Sequence, residues 1–173
     1  ALTALKRFEE ALASYDKALA IKPDFVEALN NRGVALAGLR RFEDALASCD
    51  KALAIHPDSA EAWNMKGQAA GMLDRWLEEV DCCTKAILLR PRYIGAWDNR
   101  GYALMQLKRY REAISSFNHA LRIYPEYCSA LTNKGVSHCL IGEYDKAVTC
   151  LSRADAVCPA SLRNLYWKGL ALS

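Results

Sequence analysis

The sequence has no long apolar run, no strong excess of charge and no paired cysteine motif. Its purely apolar stretches are a few residues each, far short of the ~20 residues that cross a bilayer as a helix. No signal-peptide pattern opens it. Lys and Arg number 23 against 20 Asp and Glu, a net charge of +3, which is too small to imply a polyanion partner by itself. The seven cysteines (Cys49, Cys82, Cys83, Cys128, Cys139, Cys150 and Cys158) are odd in number and form no CxxC. That pattern argues against a disulfide framework or a zinc site, and the expectation is free thiols filling small apolar sites in a reducing cytoplasm. HExxH, GxSxG and phosphate-cradling glycine loops are also missing. His56, His119 and His138 stand alone, so no catalysis, cofactor or metal is expected.

Proline is scarce and spaced with a fixed step. All five prolines, Pro23, Pro57, Pro91, Pro125 and Pro159, lie 34 residues apart. The same step links Gly33, Gly67, Gly101, Gly135 and Gly169, then Ala18, Ala52, Ala86, Ala120 and Ala154, then Phe8, Phe42, Trp76, Tyr110 and Tyr144. A fixed internal period of this size marks a helical repeat array in which each unit contacts mainly its neighbours. The 52% apolar fraction is that of a folded chain.

In chain order, residues 1–25 are expected to hold the end of one helix, a turn at Lys6–Arg7 and a second helix over Phe8–Ile21. There Phe8, Ala11, Leu12, Tyr15, Ala18 and Leu19 recur at helical spacing. Complete units follow at 26–59, 60–93, 94–127 and 128–161, each a helix, a short turn, a second helix and a Pro-marked turn. Residues 162–173 supply one more first helix. The whole, 1–173, is expected as a single array. The chain opens in the middle of a unit and stops halfway through another, as a piece of a longer protein would. Asp58 and Ser59 are N-cap candidates. A glycine inside a helix costs about 1 kcal/mol against alanine, so its recurrence points to close helix crossings. Helices of this length are marginal alone, and stacking must stabilise them.

Through Trp63–Gly67 and Trp97–Gly101–Leu104, set in these ladders, the chain resembles the tetratricopeptide repeat (TPR) family. The resemblance covers the whole length. It implies an all-α, right-handed superhelical solenoid of antiparallel helix pairs, with the first helix of each pair lining a concave groove where partners bind. No T-P-L-H-x-A string supports a 33-residue ankyrin period.

By that resemblance the groove positions are fixed relative to the ladder glycines. Two before them stand Asn31, Met65, Asn99, Asn133 and Trp167. Three before stand Asn30, Asn64, Asp98, Thr132 and Tyr166, and one after stand Val34, Gln68, Tyr102, Val136 and Leu170. Glu27 and Glu61 lie six before. An Asn amide offers donors and an acceptor together, so it can bond both the C=O and the N–H of a peptide unit. The row is similar to the asparagine ladder in the TPR arm of O-linked GlcNAc transferases, interrupted here by Met65. Asn30, Asn31, Asn64, Gln68, Asn99, Tyr102 and Asn133 are therefore the expected peptide-binding residues. The family's clamp for heat-shock-protein tails needs a Lys three before a ladder glycine, and no unit has one.

Three departures carry expectations of their own. The residue before each glycine is basic (Arg32, Lys66, Arg100, Lys134, Lys168). The plain reading packs each stem along its helix with the charge at the edge; the sharper one is a basic line that meets an acidic partner. Glu79 replaces the small residue found at Ala11, Ala45, Ala113 and Ala147, and is expected to reach water or Arg75, with Ala70 making room. Asp155, in place of Leu19, Leu53, Ile87 and Leu121, is expected to fray or cap its helix. Leu165 and Leu172 leave the last helix without a polar cap, which invites self-association. The function expected is non-catalytic protein–protein interaction with a protein or peptide partner, without nucleic acid or membrane. The alternative is a substrate-recruiting arm of a larger enzyme such as a glycosyltransferase.

Overall fold

The computed structural model describes residues 2–159 and 161–173, with side chains from Leu5 onward. Among them lie ten helices and no strand: α1 Leu2–Ile21, α2 Val26–Gly38, α3 Phe42–Ile55, α4 Ala60–Gly71, α5 Trp76–Leu89, α6 Ile94–Gln106, α7 Tyr110–Ile123, α8 Cys128–Leu140, α9 Tyr144–Val157 and α10 Leu162–Leu172. The fold is an all-α array of helix pairs. Each ladder proline stands two residues beyond a second helix, where its missing N–H ends the hydrogen-bond ladder. Ser59 caps α4, its Oγ accepting from Ala62 N–H at 3.2 Å. Ser161 does the same for α10 through Asn164 N–H at 3.3 Å.

The turns inside the pairs share one geometry. Arg40, Asp74, Lys108 and Gly142 adopt positive φ. The next residue's N–H bonds back across the helix end, as Arg41 does to Leu36 O at 2.9 Å and Arg109 to Leu104 O at 2.8 Å. This is the Schellman closure, which satisfies carbonyls that the helix leaves open. The expected turn at Lys6–Arg7 does not form, and α1 runs through it. The i→i−4 bonding of α1 continues unbroken through both residues.

The chain forms two compact units, Ala1–Pro91 and Arg92–Ser173. In unit 1 one cluster joins Leu12, Ala35, Leu36, Ala45, Leu46, Ala69 and Ala70, with Phe8 and Tyr15 against it. A second joins Leu29, Ala52, Leu53 and Ala62, flanked by Leu19, Val26 and Trp63. In unit 2, Leu104, Phe117 and Leu151 are fully buried, and Trp167 and Ala171 of α10 pack on Cys139, Ala147 and Leu151.

The glycines of the ladder sit at close crossings. A Cβ on Gly67 would lie 3.2 Å from Cys82 Cβ, one on Gly101 2.5 Å from Phe117 Cε1, and one on Gly135 2.7 Å from Leu151 Cγ. Gly169 has nothing within 4 Å.

Two expectations about single residues are corrected. Glu79 is 4% exposed and its Oε2 has no hydrogen-bond partner; Arg75 faces Glu78 instead, at 3.9 Å. Gly71 as well as Ala70 makes the room, since a side chain there would meet the Glu79 carboxylate. Burial pushes the Glu79 carboxyl up to about 8. Asp155 neither frays nor ends α9, which continues to Val157, and its Oδ2 accepts from Lys168 Nζ at 3.5 Å.

The cysteine expectation is also corrected. Cys128 and Cys158 are joined in a disulfide with Cα atoms 6.3 Å apart, within the span such a bond allows. The other five are free and buried. The chain therefore does not carry the seven free thiols that would mark a reducing cytoplasm. No helix of the described residues is long and apolar enough to cross a membrane.

Candidate peptide-binding face

First helices of successive pairs lie side by side within each unit, α2 beside α4, and α8 between α6 and α10. The three groove positions of the sequence then separate by burial. The position one after the ladder glycine is exposed at Val34, Gln68, Tyr102 and Leu170, with Val136 buried. The position three before is buried at Asn64, Asp98 and Thr132, half-buried at Asn30 and exposed at Tyr166. The position two before runs from exposed at Asn31, through half-buried at Asn99, to buried at Asn133.

Unit 2 shows what the buried position does. Ser129 Oγ donates to Asp98 Oδ2 at 2.7 Å, tying α8 to α6. Thr132 Oγ1 donates to Asn164 Oδ1 at 2.7 Å, tying α8 to α10. Asn133 Nδ2 donates to Ser129 Oγ at 3.3 Å, extending the first pair. The residue three before the glycine is thus a seam residue between neighbouring first helices. Asp98 Oδ1, Asn133 Oδ1 and Asn164 Nδ2 remain without a partner. Burial pushes the Asp98 carboxyl up, while the Ser129 hydrogen bond and Arg163 pull it down.

In unit 1, Asn31 and Gln68 present exposed amides on α2 and α4, and Asn30 Oδ1 is buried without a partner. Glu61 is engaged by Arg90 at 2.5 Å; burial raises its carboxyl, but a backbone hydrogen bond and Arg90 together hold it below the usual range. Met65, which interrupts the asparagine row, reaches toward Gly33, where a Cβ would lie 3.2 Å from its Cε.

The expected set therefore falls into exposed residues (Asn31, Gln68, Tyr102), half-buried ones (Asn30, Asn99) and buried ones (Asn64, Asn133). The seam residues Ser129 and Asn164 were not among the expected ones. Asn164 stands five before Gly169, outside the three groove positions, and the signal available was its being the one amide of α10.

The basic residues before the glycines are mostly engaged. Arg32 bonds Asp16 at 2.7 Å and Ser48 Oγ at 2.6 Å. Lys66 bonds Asp50 at 2.6 Å, and Arg100 donates to Ser116 Oγ at 2.8 Å. His138 is buried and its Nδ1 lies 2.8 Å from Glu143 Oε2, bridging the α8–α9 turn. Burial lowers its pKa and Glu143 opposes that. Trp97 stacks on His119 with ring centroids 4.2 Å apart. Trp63 Nε1 donates to Pro57 O at 2.8 Å. These rings anchor turns and helix pairs.

Family models agree with the ladders. A TPR repeat model matches residues 1–39, tetratricopeptide repeat models match 26–59 and 94–127, and a protein prenyltransferase alpha subunit repeat model matches 76–107. None of the curated proteins matches. Among solved structures the chain is similar to MamA, at 27% identity over 87% of this chain and 88% of that one, with a TM-score of 0.81. It is similar to YrrB, described as a TPR protein with an unusual peptide-binding site, at 24% identity over 97% and 87%, TM-score 0.80. It is also similar to TTC0263, a thermophilic TPR protein of Thermus thermophilus, at 21% identity over 99% and 93%, TM-score 0.77.

Proposed function

Because this chain belongs to the tetratricopeptide repeat family, we propose that it is a protein-interaction scaffold holding an extended peptide or partner helix on its first helices. The observation that carries this reading is the set of polar residues that the first helices of each unit present. In unit 1 Asn31 and Gln68 are exposed and Asn30 keeps an unused oxygen; in unit 2 Tyr102 is exposed, and Asp98 and Asn133 keep unused oxygens. Exposed amides at repeat spacing can bond successive peptide units with little demand on side-chain identity. Asn99 and Asn30 stand at the edge of the row, and Tyr102 adds a flat apolar surface with a hydroxyl at its rim. Asn64 and Asn133 act from behind the row, Asn133 by fixing Ser129. YrrB, of the same fold, supports the reading by its described peptide-binding site.

The test is peptide-library binding to the wild-type chain and to an Asn31→Ala/Gln68→Ala/Asn99→Ala/Tyr102→Ala variant whose fold is checked by circular dichroism. Selected peptides should lose affinity for the folded variant. Equal binding by both would move the site elsewhere.

A second reading is self-association through α10, where Leu162, Leu165 and Leu172 are 83%, 55% and 69% exposed. Apolar surface of this kind favours contacts with another chain. Light scattering that stays at monomer mass across a concentration series would remove it.

A further inference from the structure

We propose that the cleft between α7, α8 and α9 of unit 2 is a second binding site, for an acidic peptide segment, with Lys134 at its centre. The repeat supplies the contrast. Arg32 is neutralised by Asp16 and Lys66 by Asp50, in each case the residue sixteen before it. Sixteen before Lys134 stands Asn118, an uncharged amide. Among the described residues Lys134 makes no ion pair and no hydrogen bond.

Two adjoining cavities meet at Lys134 and Asn118. One, of about 420 Å³, is lined by Asn118, Leu121, Arg122, Lys134 and Arg153. It therefore holds three cations and no carboxylate. Arg153 Nη2 donates to Pro125 O at 3.3 Å. The other cavity, of about 390 Å³, adds Arg111 and Lys146 with one acid, Glu143. Glu143 is already occupied by His138 at 2.8 Å, Lys146 at 3.1 Å and Arg111 at 3.9 Å, so it offers little to oppose an incoming anion.

Isolated surface charges contribute little, but cations converging on a cleft focus a positive potential there. Arginine forks match carboxylates in shape as well as charge. Leu121, Ile114 and Ile141 supply an apolar wall for the methylenes of glutamate side chains. No Phe, Tyr or Trp lines either cavity, so the stacking platforms of single-stranded nucleic-acid sites are missing. The site shares no residue with the row proposed above and stands or falls separately.

The experiment is fluorescence anisotropy on the whole chain with a labelled short polyglutamate peptide at low salt, with its polyglutamine counterpart as control. Asn118→Asp supplies the carboxylate that the first two repeats carry at this place, where the third has Thr84, and it should weaken polyglutamate binding by about tenfold or more with thermal unfolding unchanged. Lys134→Gln should show the same loss, and Lys17→Gln, an exposed cation of α1 outside the cleft, should bind as wild type does. The proposal is overturned if Asn118→Asp and Lys134→Gln bind like wild type. It is equally overturned if the two variants weaken polyglutamine binding as much as polyglutamate binding, if polyglutamate does not bind, or if a single-stranded oligonucleotide binds more tightly than the peptide.

Discussion

The Glu79 carboxylate occupies the space that a side chain on Gly71 would fill. Two departures from the repeat, an acid for a small residue and a glycine at the end of α4, thus fit one another. The fit is steric, not electrostatic, because Glu79 Oε2 has no partner. With its carboxyl raised to about 8, the native state holds a proton that the unfolded chain releases above its ordinary value near 4.5. Stability should fall as pH rises between these values, by up to roughly 1.4 kcal/mol per pH unit, and level off above about 8. Denaturant unfolding across that window measures the slope, and Glu79→Gln should flatten it. Gly71→Ala should destabilise the wild type by about 1–3 kcal/mol and much less in a Glu79→Ala background.

The ladder glycines predict opposite signs at two members. Gly101→Ala forces a Cβ to 2.5 Å from the fully buried Phe117 ring. Overpacking of roughly 1–3 kcal/mol outweighs the ~1 kcal/mol of helix propensity regained. At Gly169 nothing lies within 4 Å, so Gly169→Ala should stabilise α10 by up to about 1 kcal/mol. Thermal melts of the two variants should move apart. A rise for both would mean that the crossing at Gly101 relaxes freely.

Three of the four tight turns place a residue with a side chain at positive φ, and one uses Gly142. Lys108→Gly relieves that strain and should gain roughly 0.5–1 kcal/mol, whereas Gly142→Ala should lose about as much. Chemical denaturation resolves both changes.

The seam between α8 and α10 rests on Thr132 and Asn164. Thr132→Val keeps the volume but removes the donor to Asn164 Oδ1, leaving a fully buried amide unpaired at a cost of about 1–3 kcal/mol. Hydrogen exchange should show α10 opening before α8 and α9. If exchange in α10 is unchanged, its attachment depends on Trp167 and Ala171 instead.

The ladders made the helices, the Pro-marked turns and the close glycine crossings legible, because these follow from periodicity and backbone chemistry that each unit repeats. What failed depends on particular neighbours. Lys6 shares its register with Arg40, Asp74, Lys108 and Gly142, which turn the chain, yet α1 runs straight through it. Asn133 shares the register position of exposed Asn31, and Asn64 that of half-buried Asn30, yet neighbouring side chains enclose both. Glu79 was legible as an exception but not as a buried one, since Gly71 lies outside the 34-residue ladder. The Cys128–Cys158 pair joins two unmatched repeat positions, and no spacing rule marks it. The position three before the glycine was seen as polar. Its role as a seam needed Ser129 and Asn164, which lie a unit away in sequence.

That disulfide has a mechanical consequence. It closes a loop with its ends 30 residues apart, from the start of α8 to the end of α9. Under tension along the chain, the loop cannot be drawn out even after its helices melt. At ~3.4 Å per extended residue, roughly 100 Å of contour length is withheld until the bond is reduced. Such a protein would yield one shorter extension in an oxidising buffer and its full length in a reducing one.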